Sequence, residues 1–445
     1  MKILIKGAGD LATGVAYELF ARGHQIIMTE IEVPLTVRRQ VAFSRAVYKG
    51  STVVEGVTAE RAQDIKTAQE FLTQGKIAVM VDPGATVADE FHPDVIVDGI
   101  MAKKNIGTKM TDAPLVICLG PGFTAGEDCH AVIETKRGET LGRPIYEGHA
   151  IPNTGVPGMI GGYAIERLIR ATADGTMEPV KHIGDEVRKG EILAHTGDEP
   201  VYAQIDGIIR GMLQPGVKVR KGLKIGDVDP RKNPALVYRI SDKARKIGVG
   251  VCEAIEHLCQ KDCGMLLLAA GESRRYGGDK LLDSIEGQPM YRYSLERMTA
   301  FPACQRVVVT RFEQIREEAK KFGMTVVNND RSEEGIARSL RLGMQALMKQ
   351  HPDLRGVLCM VCDQPWLKKE TIESIFTSAA GVTSRIVCAG NKERLGNPVW
   401  FGRDYFDELM HLEGDVGGKQ VVRKHPEKMI VCPASDEEMR DIDYR

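Results

Sequence analysis

The chain has 445 residues, enough for about three domains at roughly 150 residues each. Its 60 Lys and Arg nearly balance 61 Asp and Glu, leaving a net charge of −1. A chain so neutral has no global field to gather nucleic acid, and none is expected as a partner. The 43% hydrophobic and 27% charged content excludes wholesale disorder, and no run of 18 apolar residues suggests a membrane span.

The opening MKILIKGAGD lacks an apolar signal segment, and the ten cysteines form no disulfide framework. Both features point to a cytoplasmic protein with reduced thiols. Residues 2–6 read as a strand that opens into GAGDLATG at 7–14 and then a helix to about Arg22. A second strand is expected at 25–30, a helix after Pro34, and buried strands at 76–82, 95–98 and 115–119. Strands alternating with helices predict an α/β fold, with a Rossmann-like parallel sheet over residues 1–175.

In the first turn, Gly7, Gly9 and Asp10 follow the strand, and Glu30 lies about 20 residues on. The turn is either a dinucleotide fingerprint, which would place a nucleotide in this domain and make Glu30 favour NAD over NADP, or a tight turn without a ligand. NTGVPGMIGGY sets Gly155, Gly158 and Gly161 ahead of an expected helix, again as an anion loop or as a structural turn. Cys129 and His130, neighbours on an expected strand, face opposite ways and make poor joint metal ligands.

The texture changes at residue 176. Short alternating runs broken by Gly and Pro predict a small β module over 176–230. Within it HIGDEVRKGEIL (182–193) echoes QPGVKVRKGLKI (214–225). A helical connection and linker are expected over 231–262, then a second α/β domain over 263–445. There, strands at 265–271, 306–310 and 357–361 alternate with helices at 313–322 and 369–378.

LAAGESRRYGGDK (268–280) is an apolar strand feeding a glycine-rich, basic loop. Glycines let backbone N–H groups approach anionic oxygens, and Arg275 and Lys280 supply positive charge, so the loop reads as phosphate-binding. It is neither a Walker A sequence nor a Gly-x-Gly-x-x-Gly turn. Cys359 and Cys362 form a Cys-x-x-Cys that, on a strand, points to opposite faces, so core thiols are expected rather than a redox pair.

Leu268, Ala269, Ala270, Gly271, Ser273, Arg275, Gly277 and Lys280 match, residue by residue, the signature of MobA-like nucleotidyltransferases, which residues 265–445 resemble. GVLCMVCDQP at 356–365 is similar to the family's metal-binding strand end, with Asp363 as the carboxylate. GNPVWF (396–401) and EGDVGGK (413–419) resemble later family blocks. Asn397 and Lys419 depart from the His and Arg common in the family. Ala270 and the run Cys-Asp-Gln-Pro (362–365) carry a resemblance to molybdenum cofactor cytidylyltransferases in particular.

That resemblance implies CTP and molybdopterin as substrates, Mg²⁺ as cofactor, and Lys280, Arg275 and Asp363 as the catalytic set. Leu268, Ala269, Ala270, Gly271, Ser273 and Gly277 would surround the nucleotide. Asp415 would be a second metal or substrate contact, or else a helix N-cap. Ser339, in GIARSLRLG, faces the ligand or sits on a plain amphipathic helix. GTP, or another phosphate acceptor, is the nearest alternative, and a cofactor chaperone with a vestigial transferase the next.

In the first half, GAGDLATGVA (7–16), VRRQVAFSRAVY (37–48), GPGFTAGEDCHAVIET (120–135), NTGVPGMIGGY (153–163) and KIGDVDPR (224–231) resemble YqeB-type accessory proteins of selenium-dependent molybdenum hydroxylases. The resemblance implies a maturation role, with the molybdenum cofactor and a client hydroxylase as partners. The β module is similar to biotinyl/lipoyl-type barrel-sandwich modules, without the hairpin lysine that would carry a swinging arm.

Overall fold

Lys2–Lys6 buries its three central residues, Ile3, Leu4 and Ile5, completely. Covered on both faces, it is an inner strand of a parallel sheet. The computed structural model describes residues 1–445 except 154, 156, 157, 274, 275 and 443–445. The chain forms two units, Met1–Ala254 and Ile255–Arg445, and the helix Asp242–Gln260 spans the point where one gives way to the other.

The first unit holds a nine-stranded sheet. Its middle runs Leu115–Leu119, Val95–Asp98, Lys2–Lys6, Gln25–Glu30, Ile77–Val81, all parallel. The chain moves from the first strand to one side, then returns to the other, so the order reverses beside Lys2–Lys6. Open α/β sheets bind ligands at such a reversal, outside the carboxyl ends of the strands. The helix expected after Pro34 is two short pieces, Arg39–Val41 and Arg45–Lys49. No helix follows NTGVPGMIGGY among the described residues. Gly161 and Gly162, at φ 56° and 86°, instead form a two-residue turn in which Ile160 and Tyr163 exchange backbone hydrogen bonds.

The rest of this unit is a sandwich of two four-stranded sheets sharing one apolar core, with Met177, Leu193, Ile209, Leu213 and Ile225 fully buried. The sequence echo is a structural repeat. Strands Gly175–Pro179, Glu186–Val187 and Ile192–Thr196 recur as Gly207–Met212, Lys218–Val219 and Lys224–Asp229. Each copy lends its middle strand to the other, since Glu186 pairs with Ile208 and Gly175 with Val219. The caps match too: the Lys189 amide donates to Asp206 and the Lys221 amide to Asp174, at 2.8 and 2.7 Å.

The second unit has a seven-stranded sheet in the order Thr325–Asn328, Gln305–Thr310, Cys263–Ala269, Gly356–Val361, Leu395–Gly402, Ile386–Gly390, Met429–Pro433. All pairs are parallel except those of Leu395–Gly402. Helices cover both faces, over two separate core clusters. Cys359, on the strand Gly356–Val361, lies in one cluster and Cys362, just past its end, in the other, on opposite faces of the sheet. Burial pushes the Cys359 thiol up to about 12 and Cys362 higher still, so both stay protonated and inert. The order again reverses beside the first strand, between Cys263–Ala269 and Gly356–Val361. Among the described residues no helix is long and apolar enough to cross a membrane.

Candidate functional site

At the reversal in the second unit a cavity of about 720 Å³ opens over the ends of Cys263–Ala269 and Gly356–Val361. Leu268, Ala270, Gly271, Ser273 and Lys280 line it from the first strand and its loop, and Asp363 from the second. Ala269 points away: it is fully buried, and its carbonyl accepts a hydrogen bond from the Thr310 hydroxyl at 2.8 Å. Gly277 shapes the loop at φ 76° without lining the cavity. Arg275 lies outside the described residues.

Lys280 donates to Asp363 Oδ2 at 2.7 Å and to the Ile442 carbonyl at 3.0 Å. The pair is largely enclosed, with 12% and 21% of the side chains exposed. The terminal segment closes this side: the Ile442 amide donates to the Asp363 carbonyl, and Gln364 donates to Met439 O and to Asp441. Ser273 sits at φ 51°, and its buried hydroxyl has no hydrogen-bond partner among the described residues. A left-handed serine with an orphaned hydroxyl is a strained arrangement, of the kind that clusters at ligand sites.

Asp415 reaches the same cavity through a contact between two distant segments. Gly335, at φ 95°, lies so close to Gly414 and Asp415 that a Cβ there would overlap the Gly414 carbonyl. The Ala337 amide then donates to that carbonyl at 3.2 Å. Asp415 does not cap the next helix, Lys419–Lys424, whose N-cap is Gly418. Ser339 also lines the cavity, accepting a hydrogen bond from Asn329 at 2.8 Å.

Glu272, Tyr276, Ser332, Glu333 and Glu334 also line the cavity and were not anticipated as site residues from the sequence. Their acidity decides what the cavity can hold. Five carboxylates, on Glu272, Glu333, Glu334, Asp363 and Asp415, surround Lys280, the one basic residue in the described lining. A triphosphate would bring further negative charge, which a divalent cation could offset alongside Lys280. No group of three or more His, Cys, Asp or Glu is arranged to hold a metal by itself among the described residues. Mg²⁺ fits nonetheless, since it takes one or two carboxylates and completes its shell with water and substrate phosphates.

In the first unit, Gly7, Gly9, Asp10, Glu30 and Gly158 line one cavity, Gly161 a neighbouring one, and Gly155 neither. Gly7, at φ 89°, lets the turn pass within van der Waals contact of Gly99. Glu30 folds back on the turn, its two oxygens accepting from the Ala8 and Ile31 amides at 3.0 and 2.9 Å. Asp10, at the start of the helix Asp10–Ala21, is held by Arg38 at 3.0 Å.

Residues 265–429 match the family profile of the MobA-like NTP transferase domain. The chain is 49% identical over 253 residues to the uncharacterized protein YqeB of Escherichia coli K12, covering 57% of this chain and 47% of that one. A probable molybdenum cofactor guanylyltransferase of Thermococcus kodakarensis is 38% identical over 61 residues, 14% of this chain and 30% of that one. Among solved structures, Rv0371c from Mycobacterium tuberculosis H37Rv is 25% identical, covering 41% of this chain and 94% of that one, at a TM-score of 0.35. The chain spans about half or less of the length of these curated relatives. Its first half is thus YqeB-like, and its second half carries a MobA-like nucleotidyltransferase domain.

Proposed function

We propose that the second half transfers CMP from CTP to the terminal phosphate of molybdopterin, and that the first half serves maturation of a client molybdenum hydroxylase. The observation that carries the transferase reading is the enclosed Lys280–Asp363 pair at the strand-order reversal, inside an otherwise acidic cavity. Nucleotidyl transfer needs positioning and charge neutralisation more than covalent catalysis. An oxygen of the acceptor phosphate attacks the α-phosphorus, the bond to the β-phosphate oxygen breaks, and pyrophosphate leaves with its charge.

In this scheme Lys280 neutralises phosphate charge, with Arg275 assigned the same task. Backbone groups at 270–273 cradle the phosphates, and Ser273 gives its free hydroxyl a partner. Asp363 and Asp415 would hold Mg²⁺, which when bound neutralises charge on the α-phosphate and the leaving pyrophosphate. The terminal segment at 439–442 holds Lys280 and Asp363 in place and excludes water from that side.

Base choice rests on Ala270, which is 2% exposed and lines the cavity. Its methyl group crowds a purine more than a pyrimidine. The second reading, a guanylyltransferase, is favoured by the names of relatives from Thermococcus and Shewanella putrefaciens. Measuring kcat/KM for CTP and GTP with molybdopterin as acceptor separates the two. Preference for CTP is expected, and preference for GTP would overturn the cytidylyl reading in favour of the guanylyl one.

A further inference from the structure

The cavity in the first unit, about 780 Å³, has a lining unlike that of a plain dinucleotide turn. Six basic side chains, Arg38, Arg137, Arg167, Arg210, Lys224 and Lys243, face Asp10, Glu30 and Asp227. Three of the six are already committed to carboxylates. Arg38 holds Asp10 at 3.0 Å, Arg137 holds Asp242 at 3.0 Å, and Arg167 holds Asp227 at 2.8 Å.

The other three are held less closely. Arg210 is the extra residue of a bulge in the strand Gly207–Met212, where Ile209 and Gly211 face the consecutive residues Val228 and Asp227. Bulges re-aim side chains and recur beside functional sites. The side chain of Arg210 is 10% exposed and makes no hydrogen bond among the described residues. Its nearest carboxylate oxygens, on Asp227 and Asp229, stand off at 3.9 and 3.8 Å. Lys224 and Lys243 make neither a hydrogen bond nor an ion pair among the described residues. Lys224 is exposed to solvent at the cavity and Lys243 is half-buried, and desolvation lowers the pKa of both. Six cations gathered against three acids in one cavity favour an anionic ligand that supplies further acceptors.

The loops of the parallel sheet supply the opposite chemistry. Ile31, Leu35, Ile100 and Ile106 line the same cavity and are 44%, 48%, 37% and 54% exposed. Large aliphatic side chains exposed together at a cavity mouth mark a surface meant to be covered. Four segments far apart in sequence, around Gly9, Arg38, Gly158 and Lys224, converge on this one place.

We propose that this cavity binds a phosphate ester of a flat heteroaromatic ring, its phosphates on Arg210, Lys224 and Lys243 and its ring against the aliphatic side chains. The excess of basic groups lets it hold phosphate without a divalent cation. A mononucleotide and a dinucleotide share this chemistry.

The test is calorimetric titration of the full chain, in EDTA, with inorganic pyrophosphate, CMP and NAD⁺. Saturable one-to-one binding of CMP or NAD⁺, tighter than that of pyrophosphate, is expected. Tighter CMP supports the mononucleotide as source, and tighter NAD⁺ the dinucleotide. Lys224→Gln combined with Lys243→Gln should weaken binding about tenfold or more, the scale of losing a charge-assisted hydrogen bond. These lysines make no hydrogen bond or close ion pair among the described residues, but Lys224 faces buried Asp227, so thermal unfolding is measured alongside to show that the variant is folded. Arg210→Gln should act in the same direction if it folds. Lys280→Ala should leave this binding unchanged. The proposal is overturned if no probe binds, if the double variant binds as wild type, or if the loss follows Lys280→Ala instead. Pyrophosphate binding as tightly as the nucleotides overturns the part played by the ring.

Discussion

Both parallel sheets reverse their strand order beside their first strand, and each opens a cavity of similar size there, about 780 Å³ in the first unit and 720 Å³ in the second. The resemblance ends at charge. In the second unit five carboxylates surround one lysine in the described lining, whereas in the first unit six basic groups outnumber three acids. Topology places such a cavity; side chains brought in from elsewhere set its charge. In the second unit the acids arrive from the turn Ser332–Glu334 and from Asp415. In the first, Arg38 and Arg137 come from loops of the sheet itself, Arg167, Arg210 and Lys224 from the β sandwich and its lead-in, and Lys243 from the helix Asp242–Gln260.

The sharpest way to break this comparison is to remove divalent cations. Chelation should cut nucleotidyl transfer by about 10³-fold or more, because the several kcal/mol supplied by the metal are lost, while phosphate-ester binding in the first unit changes little. Equal sensitivity of both would show that their charge difference has no functional meaning. Next in size, Asp363→Asn should keep the fold and lower kcat by about 10²-fold or more, the scale of removing one electrostatic stabiliser. Near-normal pyrophosphate release by the folded variant would sink the role of Asp363.

A smaller effect is expected at Gly335→Ala. The new Cβ must push Gly414 away at a residue already in the left-handed region, costing about 1–3 kcal/mol and moving Asp415. Thermal unfolding should shift downward and kcat fall with it; an unchanged melting temperature would show that the two segments are not locked together. The smallest change is expected for Ala270→Gly. Removing one methyl group should narrow the preference for CTP over GTP by about tenfold, mainly by improving use of GTP. No change in the ratio would take the base contact away from residue 270.

Strands such as Val95–Asp98 and Leu115–Leu119 were legible to the residue, because unbroken apolar runs bounded by polar turns leave few alternatives for an inner parallel strand. The loop after Cys263–Ala269 was legible because its ligand groups are contiguous. The strand expected at 265–271 lies two residues earlier, at Cys263–Ala269. Less visible were features made by tertiary contact. The closeness of Gly335 and Gly414, and the strap at 439–442, join segments tens of residues apart and leave no local pattern. Nothing in the sequence singles out Arg210, because the bulge that turns it to the cavity depends on register against Lys224–Asp229. The glycines at 161 and 162 resembled a helix lead-in, yet two adjacent positive φ angles suit a hairpin turn better. The repeat in the β sandwich showed as an echo of about a dozen residues, although the fold repeats three strands and their aspartate caps.

The central claim is that the acidic cavity carries out metal-dependent nucleotidyl transfer to molybdopterin, and α-labelled nucleotide tests it most directly. With the full chain, Mg²⁺ and molybdopterin, label from CTP should appear on the pterin in step with pyrophosphate release, and Asp363→Asn should slow both together by about 10²-fold or more. Pyrophosphate release without label on the pterin, or no transfer from either CTP or GTP, would contradict the account.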